Sequence, residues 1–140
     1  MQDITLFISR HLELAYSFAI VLLLLMIIEF FRLRRLNFRV APAQAVQLIN
    51  RENAVVIDLR ANETYRQGHI IDALCITARE LADNPKKIDK YRNKPIILVC
   101  GTGVESQKTA LILSKQGYQV YALTGGIRGW AGADLPLVKE

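Results

Sequence analysis

The chain is short of the residues that carry most metal, disulfide and imidazole chemistry. Its 140 residues include two cysteines, Cys75 and Cys100, and two histidines, His11 and His69. No C-x-x-C pair and no Cys/His cluster occurs, which argues against zinc and against a disulfide framework. A basic stripe is also missing. The formal charge is +5, but from Val40 onward 13 basic residues face 10 acidic ones. That is an ordinary soluble balance, so the pI does not point to nucleic acid. There is no internal repeat and no low-complexity segment, and the length suits one domain plus an appendage.

What is present first is an apolar run. Leu14 to Ile28 carries no charge, and Leu22 to Ile28 is solidly apolar. Extended to residues 12–31, the segment keeps its two carboxylates, Glu13 and Glu29, near its ends. A helix of that length is ~30 Å long, the thickness of a bilayer's hydrocarbon core. A buried core helix would show one apolar face, whereas this run is apolar all round. A cleaved leader would carry its positive charges before the run, not after it. The segment therefore predicts one transmembrane helix, preceded by an exposed tail (1–11) and followed by a basic linker (32–40).

Arg32, Arg34, Arg35 and Arg39 follow the span and Arg10 precedes it. That asymmetry predicts a cytoplasmic C-terminal domain, single-pass in the cell inner membrane, with the arginines against anionic lipid head groups. A reducing compartment suits a working thiol.

Residues 41–140 alternate between helix and strand signals. Pro42 opens a helix with Ala45, Val46, Leu48 and Ile49 as its apolar positions. Strands are expected at 54–59, 73–76, 95–99 and 119–123. Asn62 is expected to cap a short helix over 63–67 that Gly68 stops. A helix is expected at 78–82, a loop at 83–87 and a helical turn at 88–92. The next helix is expected over 106–116, with Ala110, Leu111 and Leu113 inward and Gly117 past its end. Gly125 to Gly132 reads as a glycine-rich turn with a short helical piece around Trp130. Strands alternating with helices imply an α/β fold with a parallel sheet covered on both faces.

The chemistry gathers at Pro95-Ile-Ile-Leu-Val-Cys100-Gly-Thr-Gly-Val-Glu-Ser106. A buried strand runs into a cysteine, and glycines then let the backbone turn sharply. The N–H groups of such a loop and of a following helix converge on an anion. A thiolate is an anion, so Cys100 is the candidate nucleophile. An inert core cysteine would not need glycines around it. Gly101-x-Gly103 lacks the acid a dinucleotide site wants after the next strand. A thiol phosphatase would need an arginine where Ser106 stands. His69, in Gly68-His-Ile70, suits a structural hydrogen bond better than a protease base. Cys75 reads as structural.

Asp58-Leu-Arg60, Gly68-His-Ile70, Cys100 after its strand, Gly125-Gly126 with Gly129-Trp130, and Leu135-Pro136 occur together in this order. They resemble the rhodanese-like domain, over about residues 40–140. With its N-terminal span, the whole arrangement is similar to the membrane-anchored single-domain bacterial rhodaneses.

The resemblance implies a central, largely parallel five-stranded sheet flanked by helices. It also implies a cysteine that takes up sulfane sulfur as a persulfide and passes it on, with no cofactor. Carried over by position, Cys100 is the sulfur carrier, while Asp58 and Arg60 brace the domain. Gly101, Thr102, Gly103, Val104, Glu105 and Ser106 form the substrate-binding loop. The implied donor is thiosulfate or a small persulfide. The family pattern C-x-x-G-x-R is met at Gly103, but Glu105 stands where the arginine is expected. A carboxylate there opposes a dianionic donor. The alternative expectation is thus a weakened module that binds a membrane-protein partner at the cytoplasmic membrane face.

Overall fold

A computed structural model describes residues 1–36 and 38–140, in two units that divide after Leu36. Asn37, inside the expected linker, and the side chains of Arg34, Arg35 and Leu36 lie outside the described residues. In the first unit the expected tail is helical: α1 spans Gln2–Arg10 and buries none of its residues. His11, at φ −126° and ψ 45°, breaks the helical path. Helix α2 then runs Leu12–Leu36, beyond the expected end at residue 31. Within it Leu12–Leu33 is long and apolar enough to cross a membrane, at about 33 Å. None of the apolar window is buried against protein.

The second unit holds a five-stranded sheet in the order β1-β5-β4-β2-β3, every neighbouring pair parallel. Its strands are β1 (Arg39–Val40), β2 (Val55–Asp58), β3 (Leu74–Cys75), β4 (Ile96–Val99) and β5 (Val120–Leu123). Parallel strands need crossovers, and helices supply them. These are α3 (Pro42–Glu52), α4 (Asn62–Gln67), α5 (Ala78–Asp83), a 3-10 helix (Pro85–Tyr91) and α6 (Val104–Lys115); α7 (Gly126–Gly132) follows the last strand.

Side chains alternate across a strand, so one sheet makes two cores. Ile57, Ile96, Leu98, Val120 and Ala122 pack with Leu81, Ile88, Ala110 and Leu113. Val56, Ile97, Val99 and Leu123 pack on the other face with Ala45, Tyr65, Ile70 and Trp130. All four residues of β4 are buried, as a central strand covered on both faces requires.

Several local expectations are corrected. The linker contains a strand, because Val40 accepts from the Thr124 N–H at 2.8 Å and β1 extends the sheet beside β5. Asn62 is the first helical residue, and Ala61 flanks it with no side-chain cap. The expected loop and turn at 83–92 fuse into the 3-10 helix, which begins at Pro85. Thr77 and Glu80 form a capping box that starts α5. Helix α6 begins at Val104, two residues early, so its buried stripe is Ser106, Ala110 and Leu113. Leu111 lies one step off that stripe and is exposed.

Below the sheet's C-terminal edge, Asp58 and Arg60 form a buried brace. The Arg60 guanidinium donates to both Asp58 oxygens, at 2.7–3.1 Å, and to the Gly68 carbonyl at 2.7 Å. The chain's end is held as well: His69 and Val138 exchange backbone bonds, and the Trp130 indole donates to Pro136 O at 3.0 Å.

Candidate active site

Cys100 follows the last residue of β4, where the strand leaves the core and the chain must turn. The turn is made by Gly101, Thr102 and Gly103 alone. Gly103 flanks α6 at φ +95°, a region that strains residues carrying a Cβ. A Cβ there would stand 3.1 Å from Gly125 N and 3.2 Å from Leu123 O. The turn is thus tight for two reasons, conformation and space. Val104, Glu105 and Ser106, expected in the loop, form the first turn of α6.

That folding brings donors onto the sulfur. The Gly103 N–H donates to Cys100 Sγ at 3.0 Å. The Cys100 thiol donates to the fully buried Ser106 Oγ at 3.5 Å, and that hydroxyl donates to the Gly103 carbonyl at 3.1 Å; once the thiol ionises, the hydroxyl can turn its proton to the sulfur. Burial pushes the Cys100 thiol up. The Ser106 hydroxyl and the backbone N–H groups of Ser106, Gly103 and Thr102 outweigh it, so the pKa falls below that of an ordinary thiol. Cys75 behaves in the opposite way. Burial, then the Asp58 and Glu80 carboxylates, push its thiol up, with Arg60 opposing. Its Sγ donates to the Arg60 carbonyl at 3.7 Å.

Helix α7 closes the site from the side. Ile127 N–H donates to Cys100 O at 2.9 Å and Arg128 N–H to Gly101 O at 3.4 Å. The approach depends on glycine. A Cβ on Gly126 would stand 2.1 Å from Cys100 O, and one on Gly129 would stand 2.5 Å from Thr124 O. Gly125-Gly126-x-x-Gly129 is therefore the contact by which α7 docks on the cysteine's own carbonyl.

Cys100 lines an open cleft of about 360 Å³ together with Gly101, Thr102, Val104, Glu105 and Lys108. Cys100 itself is 3% exposed, whereas Val104 is 59% exposed and Glu105 and Lys108 are also exposed. The cleft thus joins one acid to one base. Lys108 went unnoticed in the sequence, although its place three residues after Glu105 on a helix was a usable signal. His69 stands apart from the cleft. Its Nδ1 lies 2.9 Å from Tyr65 O and its ring stacks on Tyr65 at 3.8 Å.

This fold and this site have counterparts. Residues 41–133 match the sequence model of the Rhodanese-like domain. The chain belongs to the rhodanese-like family. The uncharacterized protein YibN of Escherichia coli K12 is 37% identical over 141 residues, with 99% of each chain covered. Thiosulfate sulfurtransferase GlpE of Actinobacillus pleuropneumoniae is 34% identical over 99 residues, which is 70% of this chain and 90% of that one. A rhodanese-related protein from Thermoplasma volcanium superposes with a TM-score of 0.67 at 25% identity, covering 73% of this chain and 98% of that structure. The five-stranded parallel sheet and its helical layers are the architecture that resemblance to the family implied.

Proposed function

We propose that this protein is a membrane-tethered sulfurtransferase that carries sulfane sulfur as a persulfide on Cys100. The observation that carries the reading is the sulfur's setting: a thiol with a lowered pKa, held by Gly103 N–H at 3.0 Å, on a residue that lines an open cleft. The GlpE relatives, named as thiosulfate sulfurtransferases, support the reaction class. Thiosulfate would give its outer sulfur to the Cys100 thiolate, and sulfite would leave with the electron pair of the broken S–S bond. The persulfide then passes its outer sulfur to a nucleophilic acceptor. Mass spectrometry of the protein after incubation with thiosulfate or a small persulfide tests this. Gain of one sulfur atom on Cys100 is the expected result, and an unmodified thiol overturns the reading.

Glu105 supports a second reading, a weakened module that binds a protein partner at the membrane. It stands where the family resemblance puts an arginine, and it lines the cleft. The two readings separate on Glu105→Arg. Under the first, kcat/KM for thiosulfate rises roughly tenfold, about 1–2 kcal/mol, as a repulsive charge is replaced by an attractive one. The gain shrinks with added salt, because exposed charges are screened over ~8–10 Å. Under the second, the missing cation is not the only defect and turnover stays absent.

Helix α2 supports the tether, its apolar window being long enough and unburied. The arginines after it favour a cytoplasmic domain in the inner membrane. Alkaline carbonate is expected to leave the protein in the membrane fraction. A version beginning at Phe38, which keeps β1, is expected to be soluble. Reporter fusions that place the C-terminus outside the cytoplasm would contradict the orientation.

A further inference from the structure

We propose that Glu105 and Lys108 together set donor choice, selecting a small persulfide that bears both an ammonium and a carboxylate over thiosulfate. The inference rests on the sulfur-transfer reading and names its substrate class. Both side chains line the Cys100 cleft. They stand three residues apart on α6, a spacing that makes them neighbours on a helix surface. The rim is therefore dipolar, with no net charge.

A dianion such as thiosulfate loses near Glu105 what it gains near Lys108. An α-amino-acid persulfide gains from both, its ammonium toward Glu105 and its carboxylate toward Lys108. Those two groups share one carbon, a few bonds from the outer sulfur, so one molecule can meet the rim and the thiol together. At about 360 Å³ the cleft is near the lower end of the range for small-ligand sites, about 300–1,000 Å³. The rest of its lining is Cys100, Gly101, Thr102 and Val104, so that apart from the reacting thiolate no further charge is supplied.

In the step itself the Cys100 thiolate attacks the outer sulfur of R–S–SH. A Cys100–sulfur bond forms and the old S–S bond breaks. Its electron pair leaves on R–S⁻, which takes a proton from water. The transferred sulfur keeps its own proton, and no external oxidant or reductant enters.

The test uses the full-length protein in detergent and follows loading of Cys100 by mass. Four donors are compared: thiosulfate, cysteine persulfide, N-acetylcysteine persulfide, which lacks the ammonium, and cysteamine persulfide, which lacks the carboxylate. Cysteine persulfide is expected to load faster than either one-charge analogue by about three- to fivefold, the scale of an exposed ion pair. Lys108→Gln should narrow the cysteine-to-cysteamine ratio. Glu105→Gln should narrow the cysteine-to-N-acetylcysteine ratio. Both residues are exposed, so neither change threatens the fold. Loading with ratios that neither variant moves overturns the dipolar rim and leaves sulfur transfer standing. No loading from any donor overturns both.

Discussion

Cys100→Ser is expected to remove sulfur transfer, by about a thousandfold or more, while the melting temperature stays close to that of the unmodified protein. The exchange puts an oxygen where the sulfur was, so Gly103 N–H keeps an acceptor and no cavity opens. A hydroxyl in that place has no accessible anion near neutral pH and cannot hold a second sulfur. A thousandfold loss corresponds to about 4 kcal/mol of barrier.

The same argument predicts the pH dependence of alkylation in the unmodified chain. Only the thiolate reacts. The Cys100 pKa is lowered, so its rate should reach its plateau at a pH below that of an ordinary thiol. The Cys75 pKa is raised, so its midpoint should lie above. Between the two midpoints the label falls on Cys100, although Cys75 is the more exposed of the pair. Mass mapping of the labelled peptides across pH measures both curves. Coincident midpoints, or transfer surviving in the serine variant, would remove Cys100 from the chemistry.

The parts of the fold legible in the sequence are those whose signal is local and long enough to have a period. Val55–Asp58, Ile96–Val99 and Val120–Leu123 are apolar runs next to glycine, proline or charge, and each became a strand within a residue or two of its expected ends. β1 was not legible. Two residues, Arg39 and Val40, have no period, and they are a strand only because β5 offers them an edge. Helix α1 was hidden for a related reason, since a short mixed sequence with no buried residue resembles a tail.

In the site, the cysteine and its glycines could be read because backbone geometry restricts residue choice at Gly103. The burial of Ser106 could not. Serine is usually exposed, and this one is inside only because α6 starts at Val104 and turns position 106 toward the sulfur. Lys108 was missed because a lysine on a helix is ordinarily solvated, and only the cleft gives it a role.

The glycines of α7 lead to the other large effect. Gly126→Ala is expected to destabilise the domain by about 2–5 kcal/mol and to impair transfer with it. A Cβ at this position would lie 2.1 Å from Cys100 O, 2.8 Å from Gly101 C and 2.9 Å from Gly101 O. All three are backbone atoms, so no flexible side chain can yield. Gly126 also sits at φ +57°, which costs a residue with a Cβ about 1–2 kcal/mol. Overpacking typically adds about 1–3 kcal/mol.

Relief requires α7 to move off the turn, lengthening the 2.9 Å bond from Ile127 N–H to Cys100 O. The Gly103 position then loosens as well, because Gly125 N bounds the space beside it, 3.1 Å from where a Cβ would stand. The donor on the sulfur loses its alignment, so the Cys100 alkylation midpoint should rise toward that of an ordinary thiol. For a domain of this size the stability loss lowers Tm by roughly 10–25 °C. Gly132→Ala is the control, since a Cβ there meets nothing within 4 Å and the helix gains a better former. If Gly126→Ala melts with the unmodified protein and keeps its alkylation midpoint, then α7 does not rest on the Cys100 carbonyl. The sulfur would in that case owe its reactivity to the 101–103 turn and Ser106 alone.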